Sequence, residues 1–113
     1  MRGKTIAFDF DGVIASYDGW KGFDVFGKPN RDVISVMNRL YRSGNRVIIW
    51  TTRQDTPKLR AWLKRNKVKC HGINDASHNP PCTSCKPAYD VFIDDRAVGY
   101  RPGMDVMGES IIF

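Results

Sequence analysis

Short apolar runs alternate with amphipathic helical patterns along this chain, and this alternation limits the folds that it can adopt. Residues 47–50 (VIIW) are apolar at consecutive positions, which is typical of a strand covered on both faces. A helical pattern precedes this run, and a second helical pattern follows it from Thr56-Pro57. Helical crossovers of this kind join parallel strands. The sequence therefore predicts a three-layer α/β domain with a central parallel sheet.

Apolar spacing and turn residues set the predicted bounds of the elements. The first helix is predicted over residues 31–43, after the starting signal Pro29-Asn30. Residues 74–88 are rich in Pro, Asn and Ser and are predicted to form a loop. The strands are predicted at residues 4–9, 47–50, 68–73 and 89–93, with a last short strand at 111–113.

Composition narrows the class of protein. The chain of 113 residues suffices for one domain with a single core. It has no apolar run long enough to span a bilayer, and three cysteines without a secretion signal argue against a disulfide framework. We therefore expect a cytoplasmic protein without a membrane segment. The net charge of +6 favours anionic partners, although such a charge equally serves solubility.

Two aspartates, one residue apart, end the first apolar run in the segment FDFDG (8–12). Side chains at i and i+2 of a strand point the same way and lie about 6.5 Å apart. At an effective dielectric constant of about 20, two carboxylates at that distance repel each other by roughly 2 to 3 kcal/mol. A cation is therefore expected beside Asp9 and Asp11.

Polar residues also follow two other predicted strands. Thr51, Thr52 and Arg53 follow the second strand, and Asp94 and Asp95 follow the fourth. Parallel strands bring their carboxyl ends to one edge of the sheet, where ligands bind. Carboxylates gathered there suit a hard cation such as Mg²⁺, which takes one or two carboxylates together with a substrate phosphate.

Hydroxyl and cationic side chains near this edge suit the phosphate itself. Thr51 and Thr52 can donate hydrogen bonds to phosphate oxygens, and Lys86 lies a few residues before the fourth strand. Arg53 could either bind substrate phosphate or pair with an acid of a helix, and the sequence leaves both open. An aspartate among such donors and a metal ion is typical of a phosphoryl-transfer site.

Four segments, in this order, resemble the four motifs of the haloacid dehalogenase (HAD) superfamily of phosphohydrolases. They are FDFDGV (8–13), the strand end IWT (49–51), Lys86 and IDD (93–95). The match spans residues 5–96, and KPAYDVFIDDRA (86–97) is similar to small capless members from bacteria and phages. The resemblance implies a Rossmann-like, HAD-like fold.

The resemblance also implies the catalytic roles. Asp9 would be the nucleophile that forms an aspartyl-phosphate. Asp11 would act as general acid and then as general base, facing only the leaving group, with its backbone carbonyl on Mg²⁺. Thr51 would hydrogen-bond the transferring phosphoryl group, and Lys86 would neutralise its charge.

Three further motif residues would support these groups. Asp94 would complete the metal site with Asp9 and Asp11. Asp95 would orient a metal-bound water. Gly12 would let the chain turn away from the phosphate without crowding it.

The predicted chain has no room for the cap domain that many HAD enzymes carry. Residues 13–29 suit only a short helical turn and a hairpin, called the flap below, and residues 74–85 suit only a loop. Capless members of the family tend to act on large or extended phosphoesters, or to borrow a partner's surface. Together with the basic charge, the open site favours a phosphorylated small molecule such as a nucleotide, or a nucleic-acid terminal phosphate, as substrate.

Two other functions fit parts of the pattern. A phosphoacceptor signalling (receiver-like) domain also gathers acids around Mg²⁺, but its phosphorylated aspartate ends a middle strand, where this chain has Thr51. A catalytically idle HAD scaffold could bind nucleic acid through its charge, but the intact motif residues argue against it. The sequence thus favours a Mg²⁺-dependent phosphomonoester hydrolase.

A cluster of possible zinc ligands has two interpretations. Residues 82–85 have the CxxC spacing of a metal knuckle, and two more potential ligands lie nearby. A structural zinc ion would use Cys70, His78, Cys82 and Cys85. Free thiols are the favoured interpretation, because a single CxxC is a weak signal and Cys70 belongs to a predicted strand.

The aromatic residues of the flap also have two interpretations. They could stack on a nucleic-acid base, or they could hold a small hairpin together. The structural interpretation is favoured for the whole group, which consists of Tyr17, Trp20, Phe23 and Phe26.

Overall fold

The fold is a four-stranded parallel sheet with helices in its connections. The protein is described from a computed structural model, which covers residues 2–77, 79 and 89–94. The strands are β1 (Thr5–Phe8), β2 (Arg46–Ile49), β3 (Gly72–Ile73) and β4 (Val91–Ile93), and the helices are α1 (Arg31–Arg42) and α2 (Pro57–Arg65). The strand order β3-β2-β1-β4 confirms the predicted α/β class. The last strand predicted at 111–113 lies outside the described residues.

The register of β1 fixes which residues meet at the carboxyl edge of the sheet. Phe8, the last residue of β1, lies opposite Ile49 of β2 and Ile93 of β4. All three strands therefore end at the same level. The polar residues that follow them emerge side by side, because neighbouring parallel strands lie about 4.8 Å apart.

Both helices begin where the sequence predicts. The Asn30 side chain accepts a hydrogen bond from the Val33 amide at 3.5 Å and caps α1. The Thr56 hydroxyl does the same for Leu59 at 3.2 Å, with Pro57 at the first position of α2. These caps fix the starts of the helices. In the part of the chain that the structure describes, no helix is long and apolar enough to cross a membrane.

The apolar faces of both helices pack against the sheet strands and the turn after β1. The basic residues of α2 are exposed. The buried helix residues are Val33, Ile34, Met37 and Leu40 of α1 and Leu59, Trp62 and Leu63 of α2. Phe10 and Trp62 meet edge to face, with ring centres 5.0 Å apart, and so join the turn after β1 to α2. The largest fully buried side chains are Phe8, Phe10, Ile6, Ile14, Ile34, Met37, Ile48, Ile49, Leu59, Val13 and Val47.

The third strand is much shorter than the predicted 68–73. His71 explains part of the difference, because its ring Nδ1 accepts the Val47 amide at 3.0 Å, which a strand carbonyl would otherwise accept. The Lys69 amide donates to the Asn38 side chain of α1 instead of to the sheet. Main-chain pairing with β2 begins only at His71, whose amide donates to the Val47 carbonyl at 2.6 Å, so β3 is reduced to Gly72–Ile73.

The flap is a hairpin with a narrow base. Ser16 and Lys28 face each other, with the Ser16 amide donating to the Lys28 carbonyl at 2.9 Å and the Lys28 amide to the Ser16 hydroxyl at 3.0 Å. A Cβ atom at Gly27 would overlap the carbonyl of Ser16, so the base requires glycine there. The two ends of the flap, at Ser16 and Lys28, therefore lie next to each other.

Candidate active site

Three of the predicted site residues follow strand ends at the carboxyl edge. The Asp9 amide donates to the Ile93 carbonyl at 2.9 Å, so Asp9 continues the pairing of β1 with β4. On the other side, the Trp50 amide donates to the Phe8 carbonyl at 3.0 Å and leads into Thr51. Asp94 follows the last residue of β4. Sheet hydrogen bonds thus bring Asp9, Thr51 and Asp94 to one edge.

These residues line a single open cavity of about 380 Å³, called the acidic cavity below. Its polar lining consists of Asp9, Asp11, Asp94, Thr51 and Thr52. Aromatic side chains supply the rest: Tyr17 and Trp20 from the flap, and Trp50 and Phe92 from the sheet. The acidic cavity therefore combines carboxylates and hydroxyls with flat apolar walls.

The hydroxyl of Thr51 is oriented by the loop that follows it. Its Oγ1 accepts the Arg53 amide at 3.1 Å, and its own amide donates to the Asn74 side chain at 2.8 Å. Thr51 is only 9% exposed, so few alternative rotamers are open to it. Since Oγ1 already accepts a backbone hydrogen bond, its hydroxyl proton remains available for an acceptor in the cavity.

Asn74 is a site residue that the sequence reasoning missed. Its backbone adopts a left-handed conformation, with φ 54°, directly after β3. Its side chain accepts the Thr51 amide, and its Nδ2 donates to the Arg53 carbonyl at 3.4 Å. Asn74 thus holds both ends of the loop that carries Thr51. An asparagine directly after an apolar run was the available signal, because asparagine tolerates this conformation better than most residues.

The chain turns sharply between the two motif aspartates and the flap. Gly12 has φ 87°, which glycine adopts without strain. The Phe10 carbonyl accepts the amides of Val13, Ile14 and Ala15 at 3.0 to 3.3 Å. Asp9 accepts the Phe10 amide through Oδ1 at 2.8 Å. The chain thus turns at Gly12, directly after Asp11, as predicted.

Asp11 forms a two-pronged ion pair with Arg53. Nε of Arg53 donates to Oδ2 at 2.8 Å, and Nη2 donates to Oδ1 at 3.0 Å. Such paired contacts are among the stronger hydrogen bonds in proteins. This arrangement differs from the expectation that Asp11 faces only the leaving group, because both of its oxygens contact a guanidinium. Strand geometry stops at Phe8, so the i, i+2 argument does not reach Asp11.

Arg53 uses all of its hydrogen-bond donors within the protein. Besides the two bonds to Asp11, it donates to the flap carbonyls of Gly22 (3.4 Å), Phe23 (3.0 Å) and Val25 (3.0 Å). A guanidinium has five N–H donors, and these five bonds occupy them. Its side chain is 5% exposed. In this structure Arg53 therefore pairs with an acid of the turn after β1 instead of an acid of a helix, and its donors are all used within the protein. A role toward substrate phosphate stays a prediction.

The flap aromatics divide into two groups. Phe26 packs edge to face on Phe10, with ring centres 5.9 Å apart, as the structural interpretation predicts. Trp20 and Phe23 are 55% and 66% exposed. Trp20 covers the Arg53 guanidinium, whose Cζ lies 4.7 Å from the ring centre, so one part of its ring is structural and the rest borders the acidic cavity.

The donor set at this edge fits Mg²⁺. Asp9 and Asp94 supply carboxylate oxygens, and Mg²⁺ usually takes one or two carboxylates. Among the described residues, no three His, Cys, Asp or Glu side chains form a cluster able to hold a metal ion. Both carboxylate oxygens of Asp11 accept hydrogen bonds from Arg53. A metal ion would thus use Asp9 and Asp94, with the backbone carbonyl of Asp11 as the predicted third group.

Several predicted residues lie outside the described part of the chain. They are Lys86, Asp95, His78, Cys82 and Cys85. Of the predicted zinc ligands, Cys70 is described, and it packs against the core. Burial raises the pKa of its thiol, which disfavours the thiolate that zinc requires. The zinc site stays a prediction.

Comparison with known proteins supports the fold. No protein-family model and no curated protein match this chain. A solved structure, described as a conserved protein coded by a locus from Bacteroides thetaiotaomicron, matches with a TM-score of 0.69. The two chains are 27% identical, and the match covers 89% of this chain and 83% of the other. The similarity extends the α/β fold over most of both chains.

Proposed function

We propose that this protein is a Mg²⁺-dependent phosphomonoester hydrolase that acts through an aspartyl-phosphate intermediate on Asp9. Its substrate is a nucleotide or a nucleic-acid terminal phosphate. The observation that carries the proposal is the meeting of Asp9, Asp94 and Thr51 in one open cavity at the carboxyl ends of parallel strands. The resemblance to the HAD motifs supports the same assignment.

The reaction consists of two displacements at phosphorus. A carboxylate oxygen of Asp9 attacks, the bond from phosphorus to the leaving oxygen breaks, and that oxygen takes a proton from Asp11. Water then attacks the aspartyl-phosphate and gives a proton to Asp11, which releases inorganic phosphate and restores Asp9. The Thr51 hydroxyl donates to a phosphoryl oxygen throughout. Mg²⁺ held by Asp9 and Asp94 supplies charge neutralisation.

The Arg53 pair adds a feature to this scheme. An oxygen that carries a proton accepts hydrogen bonds more weakly, so protonation of Asp11 weakens one of its bonds to Arg53. The same guanidinium holds three flap carbonyls. Proton transfer at Asp11 is therefore coupled to the packing of the flap.

Phosphate release from a substrate panel tests the proposal. The panel contains mononucleotides, 3′- and 5′-phosphorylated oligonucleotides, sugar phosphates and an aryl phosphate, each with Mg²⁺ and with a chelator. We expect release that requires Mg²⁺ and is largest for nucleotides or oligonucleotides. Absence of release from every member contradicts the proposal, and release that the chelator does not reduce contradicts the role of the metal.

The same experiment separates a receiver-like domain from an enzyme. Asp9 follows β1, which is paired on both sides, so it does end an interior strand. A receiver-like domain would take up one phosphate per chain from a small phosphodonor and release it without repeated turnover. Many turnovers per chain support the hydrolase.

A further inference from the structure

A second cavity, of about 640 Å³, lies between the flap and the end of α2. It is called the basic groove below. It shares two lining residues, Asp11 and Tyr17, with the acidic cavity, so the two cavities meet at these residues. In the proposed reaction Asp11 serves the leaving group. A substrate that continues beyond its leaving oxygen therefore has the basic groove beside it.

The charges that line the basic groove do not cancel. Both acids that line the groove form ion pairs. Asp11 pairs with Arg53, and Asp18 pairs with Lys21, whose Nζ lies 2.9 Å from the Asp18 carboxylate. Two cations remain, Lys28 and Arg65. Within residues 2–77, 79 and 89–94, neither has an acidic partner. The basic groove thus presents two uncompensated positive charges.

The backbone at both cationic residues is held by hydrogen bonds. Lys28 lies at the base of the flap, where main-chain and hydroxyl hydrogen bonds join it to Ser16. Arg65 is the last residue of α2. Phe26 and Trp62 also line the groove and give it an apolar surface. The half-exposed ring of Tyr17 lies where the two cavities meet.

We infer that the basic groove binds the adjoining nucleotides of a single-stranded nucleic acid whose terminal phosphate lies in the acidic cavity. Lys28 and Arg65 contact backbone phosphate, and Tyr17 offers its face to a base. Proteins that bind single strands combine a positive groove with aromatic faces in this way. The inference rests on the proposed function and selects nucleic-acid ends over free mononucleotides as the substrate class.

The test compares hydrolysis of a terminally phosphorylated single-stranded oligonucleotide with that of the matching mononucleotide. We expect kcat/KM to be about tenfold higher for the oligonucleotide at low salt, from the added phosphate contacts. The double variant K28A/R65A should lower the ratio of the two kcat/KM values at least about fivefold. It should also reduce the slope of log kcat/KM against log salt by about 1.4, the value for two contacts to a single strand.

A matched control removes the same charges elsewhere. Arg42 and Lys64 are exposed helix residues outside both cavities, so R42A/K64A also loses one arginine and one lysine. This control should keep the wild-type ratio. Equal losses in the two double variants would mean that only net charge matters and would overturn the inference. So would a wild-type ratio near one.

A binding measurement keeps the inference separate from the proposed function. Fluorescence anisotropy with a labelled oligonucleotide that lacks the terminal phosphate needs no catalysis. If no substrate is hydrolysed but K28A/R65A weakens this binding more than R42A/K64A, the proposed function fails and the groove stands. If phosphate is released but this oligonucleotide does not bind, the groove fails and the hydrolase stands.

Discussion

The sheet edge and the flap hold their aspartates in different ways. Asp9 continues β1, which is hydrogen-bonded on both sides, so many main-chain bonds fix its position. Asp11 lies within the turn that follows β1, and its carboxylate is held by Arg53, a single buried side chain that also holds the flap. The difference teaches that the position of Asp9, the proposed nucleophile, is set by the fold itself. The carboxylate of Asp11, the proposed proton donor, is held by one ion pair.

The largest expected effect concerns Asp9. Asp9→Asn removes the nucleophile of the proposed reaction but retains its shape, so kcat should fall by at least about 10³-fold while the melting temperature barely changes. Asp90→Asn is the control, because Asp90 precedes β4 and its carboxylate accepts the Thr5 amide at 2.7 Å, at the opposite end of the sheet. It should retain activity. Full activity in Asp9→Asn would contradict the mechanism.

Asp11→Asn tests the proton-transfer role assigned to the flap side. An amide cannot protonate the leaving oxygen, so hydrolysis of an alkyl phosphate should fall about 10²- to 10⁴-fold. An aryl phosphate, whose leaving group needs little protonation, should lose much less. Arg53→Lys provides the comparison, since it disturbs the pair without removing the carboxylate. It should slow both substrates to a similar extent, and a similar loss on both substrates in Asp11→Asn would contradict the assigned role.

Arg53→Met should separate the two regions by stability. Asp11 and three flap carbonyls lose their donors, so the free energy of unfolding in urea should fall by about 3 to 5 kcal/mol. Hydrogen exchange should accelerate at the Ser16 and Lys28 amides more than in β1. Arg60→Met breaks a pair of the same kind with Asp55, but those side chains are 60% and 37% exposed. Its cost should be about 0 to 1 kcal/mol.

Two results with Arg53→Met and Arg60→Met would contradict the difference between the sheet edge and the flap. Equal losses of stability would mean that burial adds nothing to the Arg53 pair. Unchanged exchange at the flap amides in Arg53→Met would mean that other contacts hold the flap.

The smallest effect is expected at Asn74, on the sheet side. Asn74→Ala loses the bonds to Thr51 and Arg53 and replaces asparagine by a residue that tolerates the left-handed conformation less well, at a cost of about 2 kcal/mol in all. Asn74→Gly loses the same bonds without the strain, so it should cost about 1 kcal/mol. Both should lower kcat modestly through Thr51. If the two variants are equally stable, the backbone conformation of Asn74 contributes nothing.

Much of the fold could be predicted from local patterns. The helix starts at Asn30 and Thr56 follow from capping chemistry, and the apolar runs locate β1, β2 and β4 to within one or two residues. The length of the third strand was overestimated. The side chains of His71 and Asn38 accept hydrogen bonds from backbone amides that would otherwise pair within the sheet. Hydrogen bonds of this kind, from side chains to the backbone, leave no periodic pattern in the sequence.

The candidate site also contains residues whose positions could be predicted from the sequence and residues whose positions could not. Residues directly after strands, such as Asp9, Thr51 and Asp94, could be placed together because parallel strands end at one edge. The position of Arg53 could not be predicted. Its five hydrogen-bond acceptors are the two carboxylate oxygens of Asp11 and three carbonyls of the flap, and the flap contains no helix or strand that a local pattern could predict. Asn74 was missed because its role depends on the neighbouring loop.

The sequence by itself determined the parallel sheet, the helix starts and the edge at which Asp9, Thr51 and Asp94 meet, because these depend on local periodicity and strand direction. It also indicated that the two aspartates need a cation. Only the tertiary structure shows that Arg53 pairs with Asp11, because the two residues lie 42 positions apart in the chain. The physical reason is burial: a guanidinium that is removed from water must find acceptors for all of its donors.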